Sequence, residues 1–262
     1  MILLKSFLMN VQFFTIFPVH KEFSFGKYEM KWMVRTFPLV GFSMGLLLSI
    51  GYILLNDYTQ MSPLALSFYI WVMPIILTGG LHLDGYMDAS DAFFSYRDKE
   101  KRLTILKDPR IGAFGVLSLL VMLSSRFVFI YETVLYTESA VITIVLIWIP
   151  FFSRMVMGAS LILIPPAQKS GMGFSFSKYM TKCELLFLPG YFLMGGICSF
   201  FLSGFYLYLS FGVVTTGFFL FVYVKSIKWF GGMTGDTVGA SVEGMEWMLW
   251  MTLWLLPLSD MV

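Results

Sequence analysis

Charge is what this sequence lacks most: 13% of its 262 residues are charged, against 58% hydrophobic. A soluble domain carries about a quarter charged residues. Too few are present here to clothe a water-facing surface, so lipid must cover much of it. Cysteine is scarce too. Cys183 is expected in a loop and Cys198 in an apolar span, and these two exclude a disulfide scaffold. Linkers, low-complexity tracts and internal repeats are missing, so residues 1–262 read as a single membrane-embedded domain. The net charge of +2 is uninformative in itself, and no nucleic-acid partner is expected.

What remains is apolar and aromatic. Twenty-eight Phe, nineteen Met and seven Trp suit a lipid-facing surface and a soft, helix-packed interior, and mean hydropathy is +0.78. A spanning helix needs about twenty apolar residues. Runs at 34–55, 63–83, 112–134, 139–164, 186–206, 209–229 and 239–258 meet that need. The expected fold is therefore all-α, a polytopic integral membrane bundle of about seven spans. Six is the alternative count, because Glu243 and Glu246 fall in the first third of the last run. The N-terminal stretch from Met1 to Pro18 lacks a small-residue cleavage site and is interrupted by Asn10, Gln12 and Pro18. It reads as an uncleaved interfacial or partly inserted helix.

The few charges alternate from loop to loop. Lys21, Lys27, Lys31 and Arg35 precede the first span, and six basic residues from Arg97 to Arg110 follow the second. Lys169, Lys178 and Lys182 follow the fourth, and Lys225 and Lys228 flank the loop before the seventh. The intervening connections carry no base. Under the positive-inside rule the basic loops are cytoplasmic.

Two of those cytoplasmic regions hold acidic, glycine-rich motifs. In Gly80-Leu81-His82-Leu83-Asp84-Gly85, continued by Asp88 and Asp91, a helix would bring the three aspartates within about a 60° arc. Carboxylates so crowded beside an apolar span call for a cation, and hard oxygen ligands suit Mg²⁺, with Mn²⁺ as the alternative. A solvated helix end is the bland reading. His82 could be a ligand, a general base, a partner that orients a ligand, or simply packed. The second motif runs from Gly231 through Gly232, Thr234, Gly235 and Asp236 to Glu243. A helix starting near Thr237 would offer free N–H groups to a phosphate, and Glu243 repeats the one-face spacing. A glycine turn that only packs two helices is the alternative there. Between the motifs, Lys107 and Arg110 are candidates for holding phosphate oxygens or for anchoring to headgroups. Arg126 and Arg154 lie inside spans, where each needs a partner. Gly171-Met172-Gly173 is a weaker signal for a substrate-facing turn.

The Gly80–Asp91 motif, the Lys107-Asp108-Pro109-Arg110-Ile111-Gly112-Ala113-Phe114-Gly115 run and the Gly231–Glu243 motif together resemble the cobalamin synthase (adenosylcobinamide-GDP ribazoletransferase) family. Phe37-Pro38-Leu39-Val40-Gly41 and Ser153-Arg154 are weaker matches, and Pro109 departs from the serine expected at its place. The resemblance implies a Mg²⁺-dependent membrane transferase of the prokaryotic cytoplasmic membrane, with its active site facing the cytoplasm. It would join adenosylcobinamide-GDP to α-ribazole, or to α-ribazole 5′-phosphate, and release GMP. On that expectation Asp84, Asp88, Asp91, Asp236 and Glu243 bind metal and pyrophosphate, and Asp91 or His82 accepts the incoming proton. Lys107, Arg110 and Arg154 hold phosphates beside Gly232, Thr234 and Gly235. Homo-oligomerisation is left open. The rivals are a CDP-alcohol phosphotransferase-like lipid enzyme, whose Ala-Arg step fails at Ala89-Ser90, and a cation or metabolite transporter.

Overall fold

The computed structural model describes residues 2–202 and 204–256. Eleven helices make up nearly all of the regular structure among them: α1 (Ile2–Phe14), α2 (Lys27–Tyr58), α3 (Pro63–Thr78), α4 (Leu81–Phe94), α5 (Lys99–Ile105), α6 (Ala113–Tyr136), α7 (Ser139–Leu163), α8 (Met172–Ser177), α9 (Phe187–Phe201), α10 (Phe205–Phe230) and α11 (Gly235–Leu255). A 3₁₀ turn, Lys182–Leu186, leads into α9.

By length and composition α2, α6, α7, α9 with its leading turn, and α10 can each cross a membrane. Counting the bent pair α3 and α4 as one span gives six, the lower of the two expected numbers. The seventh expected run is helical as α11 but is not apolar enough to qualify, and its last two positions, 257 and 258, lie outside the described residues. The long helices leave bulky apolar side chains uncovered: Val121 is 69% exposed, Ile197 62% and Val213 74%. Patches so large on so many helices are what lipid-facing surfaces look like.

The buried centre is α7. Most of its length from Val141 to Leu161 is enclosed, with α2, α10 and α11 packed around it. Close approach to α2 depends on Gly41 and Gly45, whose added Cβ atoms would stand 2.2 Å from the Pro150 carbonyl oxygen and 2.6 Å from Ile147. Small residues at such a crossing let two membrane helices meet backbone to backbone. The short α1 lies against α2. Its Asn10 is fully buried and donates from Nδ2 to the Met33 carbonyl oxygen at 2.8 Å and to Thr36 Oγ1 at 2.9 Å. Asn10 thus acts as a docking group; its polarity does not interrupt the helix.

Candidate active site

Two turns place the acidic motifs. Ser62 caps α3 and accepts the Ala65 N–H, and the helix ends at Thr78. Gly79 and Gly80 then take φ values of 61° and 76°, left-handed conformations that side chains with a Cβ disfavour. The chain swings by 89° into α4, which carries Asp84, Asp88 and Asp91 along one face. The other motif opens α11. Thr234 Oγ1 accepts the Thr237 N–H at 3.2 Å, and Thr237 Oγ1 accepts the Thr234 N–H at 2.8 Å. This reciprocal cap starts the helix at Gly235, two residues earlier than expected.

The two helices meet through Gly85. A Cβ there would come within 2.9 Å of both Cα and the carbonyl oxygen of Asp236, so only glycine allows this approach. Asp84 and Asp236 consequently line one recess, together with Gly235. The recess adjoins a second, more polar hollow lined by Lys107, Gln168, Ser170, Thr234 and again Asp236. A short backbone pairing holds that hollow's floor: Met233 N–H donates to Pro165 O, and Ala167 N–H donates to Met233 O, both at 2.9 Å. Asp88 stands within electrostatic range of Asp84, Asp236 and Asp91.

Other expected residues have different work. The Asp91 carboxylate accepts the N–H groups of Gly112 and Gly115 at 2.9 Å each. It satisfies the free donors at the start of α6 instead of pointing at the recess. Glu243 is buried and ion-paired to Arg126, while Arg154 is paired to Glu246, which also accepts from Ser153 Oγ at 3.0 Å. Arg126 and Glu246 lie 3.9 Å apart, so two cations and two anions form one chain between α6, α7 and α11. Neither Glu243 nor Arg154 is brought to the recess, which corrects their expected places beside metal and phosphate. Arg110 also stands aside. It is exposed and forks onto Asp108, Nε to Oδ1 at 2.8 Å and Nη2 to Oδ2 at 2.6 Å, and its guanidinium holds the Asp108 carboxyl down at about 2. Gly232 is buried under the loop at Pro165, and Thr234 Oγ1 is spent on the helix cap. His82 is buried, its ring stacked against Phe14 at 5.9 Å between centroids.

The aromatic residues of the recess, Phe14 and Phe176, carry no signal in the sequence, whereas Met172 belongs to the glycine turn read there as substrate-facing. Gly173 lies against Thr234 and Gly235, which brings α8 over the recess.

A family model described as cobalamin-5-phosphate synthase matches residues 6–254. The chain belongs to this family. Proteins named adenosylcobinamide-GDP ribazoletransferase are similar to it over nearly their whole length. Identity is 38% with one from Geobacillus sp. (strain WCH70), 35% with one from Geobacillus thermodenitrificans and 35% with one from Halalkalibacterium halodurans. Each comparison covers 98% of this chain and 97–98% of the relative. No solved structure matches the chain. A membrane-embedded transferase of cobalamin biosynthesis is thereby favoured over a lipid phosphotransferase or a transporter.

Among the described residues no three His, Cys, Asp or Glu side chains converge as a ready-made metal site. The donor set still fits Mg²⁺, which is held by one or two carboxylates, with water and substrate phosphates completing its shell. Asp84 and Asp236, with Asp88 nearby, supply hard oxygens of that number and kind.

Proposed function

We propose that the chain transfers the corrinoid phosphoryl group of adenosylcobinamide-GDP to α-ribazole or α-ribazole 5′-phosphate, with GMP as the leaving group. The observation carrying this reading is that Gly85 lets Asp84 and Asp236, from two separate acidic motifs, line one recess. Phosphoryl transfer asks a protein mainly for positioning and for neutralisation of charge. A pyrophosphate cannot approach a cluster of bare carboxylates, so the arrangement makes sense with Mg²⁺ between them. When bound, the metal would offset the phosphate charge and polarise the phosphorus–oxygen bonds.

The residues then divide the task. Asp84 and Asp236 hold the metal side of the pyrophosphate, and Lys107 supplies a cation from the adjoining hollow. The 5′ oxygen of the riboside attacks the corrin-side phosphorus, the bond to the GMP oxygen breaks, and the proton of the attacking hydroxyl must leave. We assign that proton to Asp88. It lies among the other carboxylates and, unlike Asp91, accepts no backbone N–H among the described residues. The alternation of basic and non-basic loops supports a site facing the cytoplasm from a prokaryotic inner membrane.

The test is a purified protein in detergent or nanodiscs given adenosylcobinamide-GDP, α-ribazole and Mg²⁺, with GMP and corrinoid product followed by mass spectrometry. Product that requires metal and disappears in Asp84→Asn supports the reading. No product from folded wild-type protein overturns it.

A further inference from the structure

The recess that holds Asp84 and Asp236 also has an apolar wall, and one residue of that wall, His82, carries a buried polar atom with no partner. Phe14, Met157, Leu161, Met172 and Phe176 line the recess. Small-molecule sites are mostly apolar with a few placed polar groups. The imidazole of His82 lies nearly parallel to the Phe14 ring, 19° between planes, and Phe176 is 6.1 Å from Phe14. His82 is 2% exposed, and its Nε2 has no hydrogen-bond partner. A buried ring nitrogen left unpaired is costly, and His82 lines the recess, so a ligand entering there can supply the missing partner.

The chemistry of the wall selects the occupant. Guanine presents several donors and acceptors along its edge, most of which would go unpaired against Phe, Met and Leu. The corrin macrocycle with its amide rim is too large and too polar for the space. A benzimidazole is flat and apolar with one unsubstituted ring nitrogen, an acceptor that matches one Nε2–H donor. Its position also suits the chemistry: His82 and Asp84 both line the recess. A riboside with its base against His82 therefore has its sugar beside the carboxylates.

Resting on the transferase reading above, we propose that this recess between α1, α4, α7 and α8 is the lower-base subsite. Phe14, Phe176 and Met172 cover the benzimidazole of α-ribazole, and His82 Nε2–H donates to its free ring nitrogen. His82 is thereby a specificity residue for the nucleoside and leaves the proton of the 5′ hydroxyl to Asp88.

The experiment measures binding of α-ribazole and of the α-riboside of 5,6-dimethylindole, which replaces the acceptor nitrogen by C–H. Equilibrium dialysis against the detergent-solubilised full chain, without metal or corrinoid, gives both dissociation constants. Wild type should prefer α-ribazole by about 2- to 10-fold, the worth of one neutral hydrogen bond. His82→Phe, which keeps the ring and removes the donor, should bring that ratio to one and leave the KM for adenosylcobinamide-GDP unchanged. Met172→Trp, at an exposed position of the mouth, should weaken both ligands together. The subsite is overturned if wild type binds the two ligands equally, or if His82→Phe keeps the wild-type ratio. Should His82→Phe not fold, the wild-type ratio together with Met172→Trp decides the matter. Failure of the transferase reading looks different, since wild type would then release no GMP from the two substrates together.

Discussion

Asp91 is joined to Gly115 across two helices: its carboxylate Oδ1 accepts the Gly115 N–H, while Oδ2 accepts that of Gly112. An aspartate in an acidic motif is thus employed as the cap of α6. Replacing it by Asn puts an NH₂ against one of the two donors. Asp91→Asn should cost about 1–2 kcal/mol of stability, the usual worth of a lost cap, and should leave the Mg²⁺ dependence of the remaining activity unchanged. Asp84→Asn should do the reverse, with little loss of stability and loss of turnover. Thermal unfolding in detergent beside a Mg²⁺ titration of GMP release separates the two, and similar melting losses in both variants would refute the division.

The buried ion chain Glu243–Arg126–Glu246–Arg154 predicts strong non-additivity. Arg154→Met leaves Glu246 with one distant cation and the Ser153 hydroxyl in an apolar interior, at a cost of about 3–5 kcal/mol. Removing both members in Arg154→Met/Glu246→Met should recover much of that loss, because no uncompensated charge is left behind. A double-mutant cycle on denaturation or on folded yield reads the coupling. Additive losses would show that the pair is not acting as a unit.

Gly85 carries the junction of the two acidic motifs. Gly85→Ala introduces a methyl 2.9 Å from the Asp236 backbone, where nothing flexible can give way. Forced overpacking of this kind costs about 1–3 kcal/mol, and here it should also part Asp84 from Asp236. Activity at saturating Mg²⁺ should drop by more than the fall in folded protein, and the Mg²⁺ needed for half-maximal rate should rise. Unchanged Mg²⁺ affinity would mean that the carboxylates do not depend on this contact.

Lys107 and Arg110 stand three residues apart in a basic loop, yet only Lys107 lines the hollow beside Asp236. The Arg110 guanidinium is exposed and already forked onto Asp108. Lys107→Ala should raise the KM for adenosylcobinamide-GDP by about tenfold or more, the scale of a lost charge-assisted hydrogen bond. Arg110→Ala should leave it within about twofold. Steady-state kinetics of the two variants decides, and the opposite order would place the phosphate on the Arg110 side.

Several features of this protein follow from the chain alone. Scarcity of charge dictates a lipid environment, and run length locates the helices, because both are local properties. Helical periodicity puts Asp84, Asp88 and Asp91 on one face, and burial of Arg126 and Arg154 in apolar runs demands acidic partners. Which acids those partners are was decided by tertiary structure. Asp91 lies seven residues beyond Asp84, and Glu243 seven beyond Asp236. Seven residues return a side chain to nearly the same angle, but about 10 Å farther along the axis. Periodicity reports the angle. Depth matters only against a neighbour, and at those depths the neighbours are the N-terminus of α6 for Asp91 and the guanidinium of Arg126 for Glu243. The recess has the same origin: Phe14, His82, Met172 and Phe176 come from three separate helices, and only the bend at Gly79-Gly80 and the docking of α1 bring them together.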